Sequence, residues 1–453
     1  MTIVQTRPAP APARRGVPGR IRVISGVTAA ALALLFAALA AGAWTVGDGL
    51  RVIGRDAGPQ VVATAGLYLA LSDMDAQVAD ALVMGEAYDR ERQQSVDRYE
   101  RRRSEANQAL LKAFELSGDN EAERRTVQSV LDGLGRYERL AAQALLLDQR
   151  SPHPPGPPAD DVVLLHRQAT DLMRLVLLPQ AYNLTLENGT IVRRTYDDKA
   201  LTVPLLRGAV VLAGLLALGC LLVLQVYLAR RFRRVFGPAL LAATVATAVA
   251  LLFGSNVLAQ DEQALREAKT AGFDSMLTLA RARAISNSMQ GDQSRYLLDK
   301  ARADTYEHMY LDKSLSVLYV EAGNLETYHA KVTGRSGEGF RGLLGPELVG
   351  RSGEAAMDAY RRFQAADMDF RARAADGRVR EAVEARLGPV GEAFDAYDRS
   401  LVALSEQHES AFERAIGRGE NTLDGLWRLL PFAIGVIGLL VVAGVWPRLK
   451  EYR

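Results

Sequence analysis

The chain has 453 residues, and its 55 Lys plus Arg against 53 Asp plus Glu leave a formal net charge of +2, which gives no indication of a nucleic-acid partner. The charge is unevenly distributed: residues 46–204 carry 19 basic and 24 acidic side chains, residues 259–428 carry 23 and 28, and the rest of the chain carries 13 and 1. The mean hydropathy of −0.02 is therefore an average over apolar runs and polar blocks, which excludes a single ordinary water-soluble globule.

Four long apolar runs divide the chain, at residues 23–46, 205–228, 235–259 and 429–446. They contain no Asp, Glu, Lys or His, and Arg207, near the start of the second run, can extend its long side chain to the membrane interface. A helix rises about 1.5 Å per residue, so that about 20 residues cross a hydrocarbon core of about 30 Å. The sequence therefore predicts an all-α integral membrane protein with four transmembrane helices.

Basic residues outside the polar blocks cluster in the segments 1–22, 229–234 and 447–453. The positive-inside rule places all three in the cytoplasm, as a disordered tail, a hinge and a second tail. The blocks 47–204 and 260–428 then lie outside the cytoplasm, in a multi-pass protein of the plasma membrane with both termini inside. The first run could instead be a signal peptide cleaved near Ala38-Leu-Ala40, but its length and Trp44 favour an uncleaved anchor.

The order of span, polar block and span occurs twice, which predicts a tandem duplication. The centres of the first and third runs are about 212 residues apart, and this offset places Asp75 and Asp80 over Asn287 and Asp292. Apolar residues spaced by three and four, as in 67–81, predict helices throughout both blocks. With helices of about 30 residues, each block is predicted to be an antiparallel four-helix bundle.

The polar blocks show no motif for catalysis, cofactor binding or metal binding. The five histidines lack metal-ligand spacing, and the single cysteine, Cys220, lies in the second apolar run. An acid–base or calcium cluster of Asp73, Asp75 and Asp80 is an alternative, but these residues fall outside the apolar seam of their helix and are interpreted as a solvated face. We therefore expect a protein that is not an enzyme, with no catalytic residues, cofactor or metal.

Three residues are candidates for conformational roles. Pro179 and Pro431 each interrupt helical hydrogen bonding close to the predicted outer membrane surface, as a hinge or as a tolerated kink. His408 lies on an apolar helical stripe, where a satisfied core histidine and a pH-sensitive core position are both open interpretations.

The order of basic tail, span, helical block, Arg-rich hinge, paired spans, second helical block and short basic tail resembles the GlnX-type four-span sensors of actinobacteria. The segments 67–80 and 376–383 are similar to that group and to the helical sensor bundles of bacterial chemoreceptors. The resemblance implies two partners: an extracytoplasmic solute-binding lipoprotein that recognises an amino acid such as aspartate or glutamate, and a cytoplasmic PknG-type serine/threonine kinase. We expect the kinase to dock at the hinge arginines, which are Arg230, Arg231, Arg233 and Arg234.

A transporter or channel accessory subunit and a structural envelope protein are the alternatives to a sensor. A transporter usually carries ionisable residues or broken helices at mid-membrane, whereas the clearly polar residues of these spans are Gln225, Thr244 and Thr247. We expect the external blocks to contact a binding protein rather than to close on a small molecule, because the sequence shows no convergent polar pocket. The oligomeric state is left open, a homodimer included.

Overall fold

The chain is described here by a computed structural model that covers residues 17–118, 120–232, 237–334 and 341–450. These residues form an all-α structure of thirteen α-helices, with four π-helical and three 3-10 turns and no strand. The helices are α1 Val17–Arg51, α2 Gly58–Met84, α3 Asp89–Leu116, α4 Glu121–Arg150, α5 Asp160–Leu172, α6 Leu178–Phe232, α7 Pro238–Glu267, α8 Asp274–Leu298, α9 Ala303–Val317, α10 Leu325–Thr333, α11 Gly350–Ala375, α12 Val379–Ala385 and α13 Gly391–Lys450.

Four helical stretches of the described chain are long and apolar enough to cross a membrane. They are Gly19–Met84, Asp160–Arg230, Pro238–Leu298 and Val379–Pro447, and the mean hydropathy of their most apolar windows lies between 1.9 and 2.6. Three of them contain a whole predicted span, and the third stretch contains the predicted span 235–259 from Pro238 onward, so the prediction of four apolar helices is confirmed in length and composition. The described residues divide into two compact units, which are considered separately below.

The apolar unit comprises the described residues of Met1–Leu50, Tyr196–Leu265 and Ile416–Arg453. Glycines allow its helices to approach closely, because a Cβ at Gly214, Gly254 or Gly444 would lie only 2.3–2.5 Å from a leucine side chain of a neighbouring helix. Between α6 and α7, Gln225 donates hydrogen bonds to the Leu240 carbonyl at 2.8 Å and to the Thr244 hydroxyl at 2.5 Å. The unit therefore has close helix packing and a satisfied internal polar group. Large apolar side chains face outward from it, among them Leu212, Leu252 and Leu439.

The polar unit comprises Arg51–Thr195 and Arg266–Ala415, and thus contains most of both predicted polar blocks. This arrangement differs from the expected pair of separate bundles. Every residue from Leu71 to Met84 is buried, so that half of α2 needs neighbours on all its faces. The first block supplies α3 and the second supplies α8, and a single apolar core contains residues of both blocks, including Met74 and Met289. The boundaries of the predicted domains and the duplication stay predictions.

Each of the four long helical stretches contains a π-helical turn, at Val52–Ala57, Met173–Leu177, Ala268–Phe273 and Arg386–Val390. Pro179 follows the second turn as the second residue of α6, where the distorted hydrogen-bond ladder accommodates its missing N–H. Pro431 lies inside α13, and the helix continues on both sides of it. The hinge roles of both prolines stay predictions.

Candidate functional site

The carboxylates on α2 are buried, so their interpretation as a solvated face is wrong. The exposed fractions of Asp73, Asp75 and Asp80 are 6%, 2% and 6%. The apolar residues spaced by three and four in 67–81 predict the packing of α2 against one neighbour only. In the structure, α3 and α8 cover different faces of the helix. Buried carboxylates require charged or hydrogen-bonding partners, and these come largely from distant parts of the chain.

Asp75 is the centre of a buried network that joins the two halves of the polar unit. Its Oδ2 lies 2.5 Å from the Arg295 guanidinium of α8, a pair whose side chains are 2% and 1% exposed. Asp75 also accepts hydrogen bonds from the Tyr137 hydroxyl at 3.2 Å and the Thr170 hydroxyl at 2.9 Å. Gly291 leaves room for the cation, because a Cβ there would lie 2.6 Å from a guanidinium nitrogen of Arg295.

The network continues from Arg295 to the edge of α8. The second terminal nitrogen of Arg295 lies 2.7 Å from Oδ1 of Asp292, which is fully buried. The other oxygen of Asp292 accepts a hydrogen bond from the Lys313 ammonium of α9, which also donates to the Ser288 hydroxyl at 2.7 Å. A continuous chain of charges therefore runs from the buried Asp75 of α2 through α8 to the half-buried Lys313 of α9.

A second buried ion pair links α2 to the last π-helical turn. Asp80 lies 2.8 Å from the Arg386 guanidinium and accepts a hydrogen bond from the Ser294 hydroxyl of α8. Arg386 also donates to the Gln290 carbonyl at 3.2 Å. The two pairs Asp75–Arg295 and Asp80–Arg386 tie the first block to the second, at sequence separations of more than 200 residues.

His166 of α5 is buried beside this network, with an exposed fraction of 1%. Burial, with the positive charge of Arg295 adding to it, lowers the His166 pKa from 6.5 to about 4, although Asp75 acts in the opposite direction. No hydrogen-bond partner contacts its Nε2 within the described structure. The ring is therefore neutral at pH 7, and protonation would introduce an unpaired positive charge into the core.

A cavity of about 410 Å³ opens between α2, α8, α9 and the start of α6. Its floor includes the buried Ser288 and Leu178, and its rim includes the exposed Pro179 and Asp312. Burial, together with repulsion from Arg295 and Arg174, lowers the pKa of the Lys313 ammonium, although Asp292 opposes this shift. The remaining lining residues are Tyr68, Arg174, Tyr182, Met309 and Lys313.

The polar unit therefore contains a cavity in which polar side chains converge, although the sequence showed no sign of one. Its residues are distributed between positions 68 and 313 and come together only through the packing of the two blocks. One signal in the sequence pointed to the buried network: the 212-residue offset that aligns Asp80 with Asp292. Arg386 shares the same offset with Arg174, whereas Arg295 has no such signature.

The predicted partner-docking and pH-sensitive residues lie elsewhere. Arg230 is exposed near the end of α6, and Arg231 belongs to the same helix, whereas Arg233 and Arg234 lie outside the described residues. The His408 side chain is 23% exposed, so the residue is half-buried rather than in the core. Its Nδ1 lies 2.6 Å from the Ala271 carbonyl of a π-helical turn, and its Nε2 lies 3.4 Å from Glu347. Its role as a pH-sensitive position stays a prediction.

The arrangement places charged side chains at a cavity and joins the two blocks of the polar unit by buried ion pairs. Within the described ranges, no group of three or more His, Cys, Asp or Glu side chains is placed to hold a metal ion. The expectations that the protein is not an enzyme and binds no cofactor stay predictions.

Residues 49–197 match the family described as an actinobacterial sensor domain. The match covers about a third of the chain and includes Asp75, His166 and Arg174. No curated protein and no solved structure matches the chain. The family match supports a sensor protein of actinobacteria with a sensing or signalling role, and the four apolar helices are compatible with a membrane protein.

Proposed function

We propose that the protein is a transmembrane signal transducer that relays extracytoplasmic amino-acid availability, through a solute-binding lipoprotein, to a cytoplasmic PknG-type serine/threonine kinase. The observation that carries this proposal is the match of residues 49–197 to a sensor domain, within a polar unit that buried ion pairs join to a second block. The lipoprotein and the kinase follow from the resemblance to GlnX-type sensors.

The input is received by the polar unit, on the outer side of the membrane. A loaded lipoprotein binds to helix faces of this unit and favours one of two packings of the first block against the second. Such a switch needs only a few kcal/mol between the two packings. The ion pairs between α2 and α8 support this mechanism, because buried charged partners favour discrete arrangements over continuous sliding.

The output is read at the cytoplasmic hinge. Four helices, α1, α6, α7 and α13, contribute residues both to the polar unit and to the apolar unit, so a shift in the polar unit has a covalent helical route to the spans. The exposed Arg230 and the neighbouring arginines of the hinge present positive charge to an acidic surface of the kinase.

Replacement of Arg230, Arg231, Arg233 and Arg234 by Gln is expected to weaken kinase recruitment at least about tenfold while lipoprotein binding is retained. The physical reason is the loss of four positive charges at the proposed docking segment. Co-purification of the kinase and of the lipoprotein with the full-length chain in membranes measures both effects.

The same arginines also help to set the orientation of the spans, so the topology of the variant has to be checked in the same preparation. Replacement of Arg101, Arg103, Arg136 and Arg139 in the polar unit by Gln removes the same number of charges and serves as the control. Unchanged kinase recruitment by a correctly oriented hinge variant would show that the hinge is only a topogenic signal.

A further inference from the structure

Arg174 presents a cationic group to the cavity without a partner of its own. It is half-buried and lines the cavity, and the described residues offer its guanidinium no hydrogen bond or ion pair. This situation contrasts with that of Arg295 and Arg386, which are buried and paired with carboxylates. The lining contains one carboxylate, that of Asp312, which is exposed at the rim and forms no ion pair with Arg174. An arginine at the wall of a cavity with no carboxylate paired to it has the donor geometry for an anionic ligand.

The second block has an arginine at the corresponding position, and there the guanidinium is paired with a carboxylate. Arg174 precedes Arg386 by 212 residues, which is also the separation between Asp80 and Asp292, and both arginines lie in π-helical turns. Arg386 is paired with Asp80, and the cavity at that place is only about 130 Å³. Asp292, which corresponds to Asp80, instead forms ion pairs with Arg295 and Lys313. Arg174 therefore has no carboxylate partner of the kind that Arg386 has.

The rest of the lining defines the kind of anion. Lys313 supplies a second cation, with a side chain that is 21% exposed. Tyr68, Leu178 and Met309 supply aromatic and apolar surface, and the ring of Tyr182 lies 6.1 Å from that of Tyr68. A volume of about 410 Å³ is in the range of small-molecule sites. We propose that this cavity binds a small organic carboxylate, with its carboxylate on Arg174 and Lys313 and its apolar part on the aromatic and apolar wall.

A ligand in the cavity would weaken one ion pair of the buried network, that between Lys313 and Asp292. A carboxylate beside Lys313 competes with Asp292 for the ammonium, and Asp292 is linked through Arg295 to Asp75 on α2. The site is therefore placed to alter the contact between the two blocks. This inference concerns direct binding by the chain itself and rests neither on the lipoprotein nor on the kinase.

Benzoate and its neutral analogue benzamide are matched probes for the site. Saturation-transfer NMR titration of the full-length chain in lipid nanodiscs, without lipoprotein or kinase, is expected to show benzoate binding at least about tenfold tighter than that of benzamide, because only benzoate can make charge-assisted hydrogen bonds. Equal affinities for the two probes, or no binding of benzoate, would overturn the proposal.

Variants of Arg174 locate the binding. Arg174→Gln is expected to lower benzoate affinity at least about tenfold, Arg174→Lys to retain most of it, and the exposed control Arg101→Gln to leave it unchanged. Thermal unfolding of each variant establishes that it is folded. Full benzoate binding by folded Arg174→Gln would place the site elsewhere and contradict the assignment. Failure of the wild-type chain to recruit the kinase, with benzoate binding intact, would instead count against the proposed function alone.

Discussion

Replacement of Arg295 by Met is expected to lower the free energy of unfolding of the polar unit by about 3–5 kcal/mol. The Arg295 guanidinium lies between Asp75 and Asp292, which are 2% and 0% exposed. Removal of the cation leaves two buried carboxylates with reduced compensation, and this costs more than the loss of the pairing itself. Urea unfolding of the full-length chain in detergent, followed by near-UV circular dichroism, measures the change.

An exposed ion pair provides the control for this variant. Arg103 lies 2.8 Å from Glu100, but the two side chains are 43% and 48% exposed. Arg103→Met is therefore expected to change stability by less than about 1 kcal/mol. Equal effects of the two substitutions would show that Arg295 does not bridge a buried network.

Acidification is expected to destabilise the polar unit through His166. The folded pKa of about 4 lies below the unfolded value of 6.5, so the unfolded chain binds the proton first. The stability that the neutral histidine contributes is fully present above pH 6.5 and is lost as the pH falls towards 4, by about 3 kcal/mol in total.

The comparison of wild type with His166→Leu isolates this contribution. Burial raises the pKa of Asp148, so protonation of this carboxyl group favours the folded state as the pH falls, opposite to the effect of His166. This contribution is the same in both proteins. His166→Leu is expected to reduce the loss of stability between pH 6.5 and 4, whereas His308→Leu, at an exposed position, should leave it unchanged. Unfolding midpoints across this pH range give the result, and identical pH profiles of wild type and His166→Leu would contradict the buried state of His166.

The sequence was sufficient to predict the helical character and the four apolar helices, because both depend on local patterns of apolar residues. The spacing of three and four from Leu67 to Ala81 predicts a helix, and α2 contains that segment. Runs without charged residues are equally local, and the described residues contain four helices with this property.

The pairing of the buried charges could not be predicted from a single sequence. Asp75 and Arg295 are separated by 220 residues, and nothing in the residue types around either one specifies the other. The three aspartates on α2 look solvated when only one packing partner is considered, but Asp73 pairs with Arg102 of α3, and Asp75 and Asp80 contact α8. The cavity has the same origin, because Tyr68, Arg174 and Lys313 meet only when the two blocks pack together.

The central claim is that both polar blocks form one sensor unit on the outer side of the membrane, and cysteine labelling tests it most directly. Single cysteines at the exposed positions Ala122 and Ala375, one in each block, are introduced into a Cys220→Ala background. We expect a membrane-impermeant maleimide to label both positions in intact spheroplasts. Labelling of either position only after the membrane is permeabilised would contradict the account, since blocks on opposite sides could not share the Asp75–Arg295 pair.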